Sequence, residues 1–167
     1  MGMSVTISAA TAPDAEQILK LQYLCYQSEA ELYGDYAIEP LTQSLDALRA
    51  EIAEGHALVA RLGDEVVASV RGRIDDAGTA LIAKLIVHPR MRRHGLGGRL
   101  LAAIEAHFAG EPAARKYQLF TGHRSEGNLA LYRSHGYVPV AREEIGPRLT
   151  LVRLEKEAAA GAFVTSA

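Results

Sequence analysis

The sequence predicts an α+β fold: a mixed, mostly antiparallel central sheet of six to seven strands flanked by about four helices. Three observations carry this. Apolar periodicity gives the element order β-α-α-β-β-β-α-β-α-β-β along the 167 residues. Most of the strands adjoin through hairpin-length turns, which makes them antiparallel neighbours. One long helix separates two strands, and a crossover of that length sets those two parallel.

Each element has its own signal. Ser4 to Ser8 alternates like a short strand. Thr11 opens a capping box with Asp14, and Ala15, Ile18, Leu21 and Cys25 line one face of the helix behind it. After the tyrosine- and acid-rich connector EAELYGDYAIEP, the residues Leu41, Leu45, Leu48 and Ile52 keep helical spacing until Gly55 stops them. From His56 the period changes. ALVARLGDEVVASVRGRI reads as a hairpin turning on Gly63-Asp64, and a looser turn, DDAG, leads into a strand from Thr79 to Val87. The next helix buries Leu96, Leu100, Ile104 and Phe108. YQLFTG is a short strand, EGNLALYRSHG a short helix ended by Gly136, and YVPVAREEI with RLTLVRLEK a last hairpin turning at Gly146-Pro147. No internal repeat or linker interrupts the series, so residues 1–156 form one expected domain and residues 157–167 a C-terminal tail.

Composition excludes several classes. Hydrophobic residues make up 49% and charged residues 23%, which is globular and too apolar for disorder. A formal net charge of -2 disfavours nucleic acid as the principal partner. The single cysteine, Cys25, excludes an internal disulfide and a thiolate-rich zinc site, and suits a reducing, cytoplasmic setting. No run approaches the roughly 18 apolar residues of a membrane span, and MGMSVTISA lacks the layout of a secretory signal. Gly2 and Thr6 match the loose spacing of a myristoylation site, but Val5 and Ile7 read better as the first strand. The expectation is a cytoplasmic protein with neither membrane nor nucleic acid as partner.

The informative stretch is KLIVHPRMRRHGLGGRLLAAIE, Lys84 to Glu105. At a helix start the first amides have no partner within the helix, and the dipole is positive there. Glycines at Gly95, Gly97 and Gly98 keep side chains away from those amides, while Arg92 and Arg93 add charge that pairs with phosphate oxygens. The junction reads as a pyrophosphate cradle at the carboxyl end of a strand. A P-loop is excluded because no Gly-Lys-Ser/Thr follows, and the dinucleotide fingerprint fails because Leu100 stands where its last glycine belongs.

VHPRMRRHGLGGRLL resembles the acyl-CoA-binding motif of the GNAT acetyltransferase superfamily, Arg/Gln-x-x-Gly-x-Gly/Ala, with Arg92, Gly95 and Gly97 in the defining places. NLALYRSHGYVPV is similar to the family's second signature, and the element order matches from about Val5 to Leu154. The resemblance implies a sheet splayed between its fourth and fifth strands, with acetyl-CoA as co-substrate in the cleft. It implies that the backbone of Leu85, Ile86 and Val87 pairs with the pantetheine arm. The amides of Arg93, His94, Gly95, Leu96, Gly97 and Gly98 would hold the pyrophosphate. In many relatives an Asn lies seven residues before the tyrosine of the second signature. Ser125 takes that place here, while Asn128 lies four before Tyr132 on the same helical face, so either could reach the cofactor.

Acyl transfer to an amine needs a neutral nucleophile, a donor for the tetrahedral oxyanion and a proton for the leaving thiolate. A lysine-like amine has a pKa of ~10.4 and a thiol ~8.5, so deprotonating the amine is the harder task near pH 7. Alignment of the reactants is worth ~7–11 kcal/mol and one acid or base ~3–5 kcal/mol. By resemblance Tyr132 is the acid that protonates the sulfur. The general base is not legible, because Lys84 is the one charged residue of its strand, and His123 and Glu126 are candidates bordering the cleft. Tyr23, Tyr26, Tyr33 and Tyr36 crowd the end of the first helix among Glu29, Glu31, Asp35 and Glu39. Aromatic faces with carboxylates suit a cationic amine, and Glu31, Tyr33 and Tyr36 are the expected acceptor-binding residues.

His56, His88, His94, His107 and His135 show no metal-ligand spacing, so no metal is expected. The sequence therefore points to an N-acetyltransferase acting on a small-molecule or peptide amine by direct attack in a ternary complex. The rival is a non-catalytic acyl-CoA sensor, which needs the cradle but no acid; a nucleotide-phosphate binder is a third possibility. The family's frequent homodimers extend the expectation to self-association, with no interface legible in the residues.

Overall fold

The computed structural model describes residues 4–110 and 113–158. Most of the expected tail and Gly2 of the myristoylation pattern fall outside the described residues. The chain runs β1 (Val5–Ala9), α1 (Ala15–Tyr33), α2 (Glu39–Thr42), α3 (Leu45–Ala53), β2 (Ala57–Leu62), β3 (Glu65–Ile74), β4 (Thr79–Val87), α4 (Leu96–His107), β5 (Lys116–Gly122), α5 (Glu126–Ser134), β6 (Val138–Glu144) and β7 (Thr150–Glu157). The seven strands form one sheet in the order β1-β2-β3-β4-β5-β7-β6, antiparallel except for β4 and β5.

Alternation along the strands feeds two cores on opposite faces. Leu58 and Ala60 of β2 join Leu96, Leu100, Leu101, Ile104 and Phe108 of α4 and its end, whereas Ala57 and Val59 join Ile18, Leu21, Cys25, Leu48 and Ile52 of α1 and α3. Full burial of a leucine or isoleucine is worth ~1.5–3 kcal/mol, so these two faces pin the register of the central strands. Thr11 N–H donates to Asp14 Oδ2 at 2.7 Å as the capping box requires, and the same carboxylate takes a forked pair of bonds from Arg61 at 2.7 and 2.6 Å. This ties the start of α1 to β2.

One expected element divides. The helix read from Leu41 through Ile52 is two, because Gln43 takes an extended conformation and Ser44 caps α3 by accepting from Ala47 N–H at 3.1 Å. Pro40 is the second residue of the extra turn α2, where a missing N–H costs nothing. The physical reason for the break is the Gln43 side chain. It is buried and bonds Gln22, Glu51 and Arg71, which a continuous helix would not deliver. β7 also runs to Glu157, one residue past the expected domain limit.

Two irregularities shape the cleft. The β3–β4 register jumps between Ser69↔Ile86 and Arg71↔Ala83, so Lys84 and Leu85 oppose the single residue Val70. Lys84 carries the positive φ of this bulge, 53°. The parallel β4–β5 pairing covers only Thr79↔Lys116, Ala80↔Tyr117 and Leu81↔Gln118. Beyond Leu81 the two strands part, and the sheet opens.

Candidate functional site

One side of the opening is built by the glycine–arginine junction. Arg93 (φ 68°) and Gly95 (φ 73°) both turn left-handed before α4, and an added Cβ at Gly95 would meet open space. Gly95 is thus needed for its conformation. The other two glycines answer to packing: a Cβ on Gly98 would lie 2.6 Å from His135 Nε2, and one on Gly97 3.3 Å from Leu131. They let α5 come close to the start of α4. Among the described residues no backbone carbonyl accepts from the amides of residues 93 to 98. A cavity of about 550 Å³ faces them, lined by Leu85, Ile86, Val87, Arg92, Arg93, Gly95, Leu96, Gly97, Gly98 and Asn128.

A second cavity of about 490 Å³ occupies the space where β4 and β5 diverge. Apolar side chains dominate it: Ile38, Pro40, Ile82, Leu119, Phe120 and Leu151. Tyr26, Tyr33 and Tyr132 enter from α1 and α5, and charge comes from Glu29, Asp35, Lys84 and Arg148. The two cavities share Tyr26, Glu29, Leu85 and Asn128, so they meet at this quartet.

Tyr132 is 6% exposed, yet its hydroxyl has no protein partner among the described residues and is not among the sealed polar atoms. It opens onto the cavity. Burial, with the charge of Glu29 behind it, pushes its pKa up to about 12, so the phenol is neutral through the physiological range. Glu29 is half-buried and accepts from Ser125 Oγ at 3.2 and 3.1 Å. Asn128 Nδ2 donates to Thr121 Oγ1 at 3.3 Å. Cys25 also lines the first cavity; its thiol donates to Val87 O at 3.4 Å, and burial raises its pKa.

The expected residues divide cleanly by position. Leu85 to Val87, the arginines, the glycines, Leu96, Asn128 and Tyr132 line the paired cavities, whereas His94 is exposed and lines neither. Ser125 lies one layer down, within 2.8 Å of Tyr33 Oη and under Glu29. Tyr33 borders the second cavity but is packed, its hydroxyl accepting from Arg124 N–H at 3.0 Å and its ring filling the space beside Gly122. Glu31 and Tyr36 point elsewhere; Tyr36 is 59% exposed. Of the two base candidates, Glu126 is exposed and His123 Nδ1 accepts from Thr150 N–H at 3.1 Å, and neither lines a cavity. The group the sequence did not single out is Glu29. Its signal was present, since it sits at i+3 from Tyr26 and i+4 from Cys25 on the inward stripe of α1.

The family model described as Acetyltransferase (GNAT) family matches residues 16–137. No curated protein matches the sequence. Among solved structures, the chain is similar to an acetyltransferase of the GNAT family from Streptococcus pneumoniae, with 17% identity and a TM-score of 0.73 over 92% of this chain and 99% of that one. It is similar to yncA from Salmonella typhimurium with its cofactor acetyl-CoA, at 19% identity and a TM-score of 0.74 over 93% and 94% of the two chains. The PaiA N-acetyltransferase of Thermoplasma acidophilum, in complex with coenzyme A, gives 17% identity and a TM-score of 0.75 over 93% and 99%. At these identities the structural likeness concerns the fold. Among the described residues no helix is long and apolar enough to cross a membrane.

Proposed function

The chain belongs to the acetyltransferase (GNAT) family, and we propose that it moves the acetyl group of acetyl-CoA onto a primary amine by direct attack within a ternary complex. The observation that carries this reading is the junction of the two cavities at Tyr26, Glu29, Leu85 and Asn128. A thioester entering from the cradle side and an amine entering from the β4–β5 opening would meet there.

In this reading the amides at the start of α4, with Arg92 and Arg93, hold the pyrophosphate, and the backbone of Leu85 to Val87 holds the pantetheine arm. Acetyl-CoA supplies the activated acyl group. Glu29 takes a proton from the ammonium, directly or through one water, and the freed lone pair forms a bond to the thioester carbon. A backbone N–H at the β4 bulge receives the oxyanion. The C–S bond then breaks, and its electron pair leaves on the sulfur, to which the Tyr132 hydroxyl donates a hydrogen bond. A phenol at about 12 opposite a thiol at ~8.5 makes full transfer uphill by roughly 5 kcal/mol, so Tyr132 acts by bonding to the sulfur as charge develops. The proton that Glu29 collected passes to the CoA thiolate, and the second proton, shed by the nitrogen as the tetrahedral intermediate collapses to the amide, goes to water. Residues 1–156 act as one catalytic domain.

The test is an amine panel with acetyl-CoA, following free thiol and identifying the acetylated amine by mass. Tyr132→Phe is expected to lower kcat by about 10²-fold, the loss of one hydrogen-bond donor to developing charge, with CoA affinity kept. Undiminished turnover in that variant, or thiol release without an acetylated amine, overturns the reading.

A further inference from the structure

The opening between β4 and β5 leaves apolar surface uncovered. Of the six large apolar side chains exposed among the described residues, two, Phe120 at 44% and Ile145 at 54%, stand at the second cavity. Ile38, Pro40, Leu149 and Leu151, each half-buried, join them there. They come from the α1–α2 connector, α2, β5, the β6–β7 turn and β7, segments far apart in the chain. A single exposed apolar residue is ordinary on a protein surface. Convergence of several on one concavity of about 490 Å³ marks a place for an apolar ligand.

The charges of this cavity are unevenly placed. Glu29 lies at its inner end, at the junction with the first cavity, and its bonds are to the neutral Ser125 Oγ, so its charge is available to an ammonium. Lys84 is neutralised by Glu39 at 2.7 Å, with Glu51 4.0 Å away. Asp35 and Arg148 are exposed, and each is turned to backbone: Asp35 Oδ1 accepts from Ala37 N–H at 2.9 Å, and Arg148 Nη1 donates to Gly34 O at 3.3 Å. A second charge on an acceptor would be taken out of water against the apolar walls without a fixed partner, which costs more than the walls return.

We propose that the acceptor is a primary amine whose remaining body is apolar and uncharged, an alkyl- or aralkylamine, with its ammonium at Glu29 and its body against Phe120 and Ile145. This rests on the amine-acetylating reading above and narrows it to one substrate class. Phe120 and Ile145 stand away from the junction, since both line the second cavity and neither lines the first. A short amine held at Glu29 leaves that wall wet, whereas a longer one covers it. Each further methylene buried there is worth about fourfold in binding.

Two measurements test it. With acetyl-CoA saturating, kcat/KM is expected to rise about fourfold per methylene from propylamine to hexylamine, and hexylamine to exceed cadaverine, the diamine of equal length, by about tenfold or more. In Phe120→Ala the ratio of hexylamine to propylamine should fall by about tenfold; Phe120 belongs to neither core, so its truncation leaves the packing of the domain in place. A flat series in the parent, or cadaverine equal to hexylamine, overturns the proposal and leaves acetyl transfer to amines standing. An unchanged ratio in Phe120→Ala overturns it as well. The second measurement is calorimetry on the protein saturated with CoA. Hexylamine bound more tightly than cadaverine, with no acetylated product in the turnover assay, supports the apolar site and removes the amine-acetylating reading instead.

Discussion

Replacing Glu29 by Gln removes the proposed proton acceptor while keeping its packing, and it also lifts the charge that helps hold the Tyr132 pKa up. The substitution keeps size and an oxygen that can accept from Ser125 Oγ, so the packing between α1 and the β5–α5 turn is retained. It removes the one carboxylate that lines both cavities. At pH 7.5 an amine of pKa ~10.4 is neutral in roughly one molecule in 800, so an enzyme without a base works from that fraction alone. A positioned base is worth ~10²–10⁴-fold, and the expected loss in kcat at pH 7.5 is therefore ~10²–10³-fold. The decisive assay is the pH profile of thiol release between pH 6.5 and 10. In the variant, log(kcat/KM) should climb with unit slope as the amine loses its proton unaided, and the deficit against the parent should shrink to within about tenfold near pH 10. A deficit of the same size at pH 7 and pH 10 would show that Glu29 holds structure and moves no proton.

Two further outcomes follow from the same coordinates. Gly95→Ala places a side chain at φ 73°, where an L-residue costs ~1–2 kcal/mol, in space that is otherwise open; CoA affinity should fall by about tenfold with the acceptor KM unchanged, and a variant with parental affinity for CoA would refute a role for that turn in the cradle. Alkaline stability should fall early. Tyr132 has its folded pKa raised, as do Tyr26 and Tyr137, chiefly by burial, so their stabilisation is complete below the unfolded tyrosine value of ~10 and is lost as pH rises through the folded values. For Tyr132, at about 12, the full loss is worth about 3 kcal/mol, and urea titrations at pH 9 and 11 should show Tyr132→Phe flattening the decline; an unchanged decline would refute this assignment.

What could be read from the residues, and what could not, divides along one physical line. Local signals gave local facts: the strand Thr79–Val87, the Gly63-Asp64 turn and the stripe Leu96, Leu100, Ile104 recur in the fold. The glycine–arginine junction was legible because conformation and charge coincide in one short run. Glu31, Tyr36 and Glu29 are three residues of one acidic, aromatic segment, and composition alone does not say which face inward. That choice is made by tertiary contacts. Tyr33 Oη anchors to Ser125 and to Arg124 N–H, and with Glu29 on Ser125 this docks the last turns of α1 on the β5–α5 turn.

The break at Gln43 has the same origin and a consequence for specificity. Leu41 keeps helical spacing with Leu45, and only the buried pull of Arg71, Gln22 and Glu51 on the Gln43 side chain bends the backbone there. Because Gln43 Oε1 also accepts from Lys84 at 3.3 Å, the same network reaches the bulge that turns β4 away from β5. The wall of the cavity between β4 and β5 is thus tied through Gln43 to Arg71 and Glu51 in one hydrogen-bonded assembly. A change that loosens Arg71 should therefore alter where β4 bends.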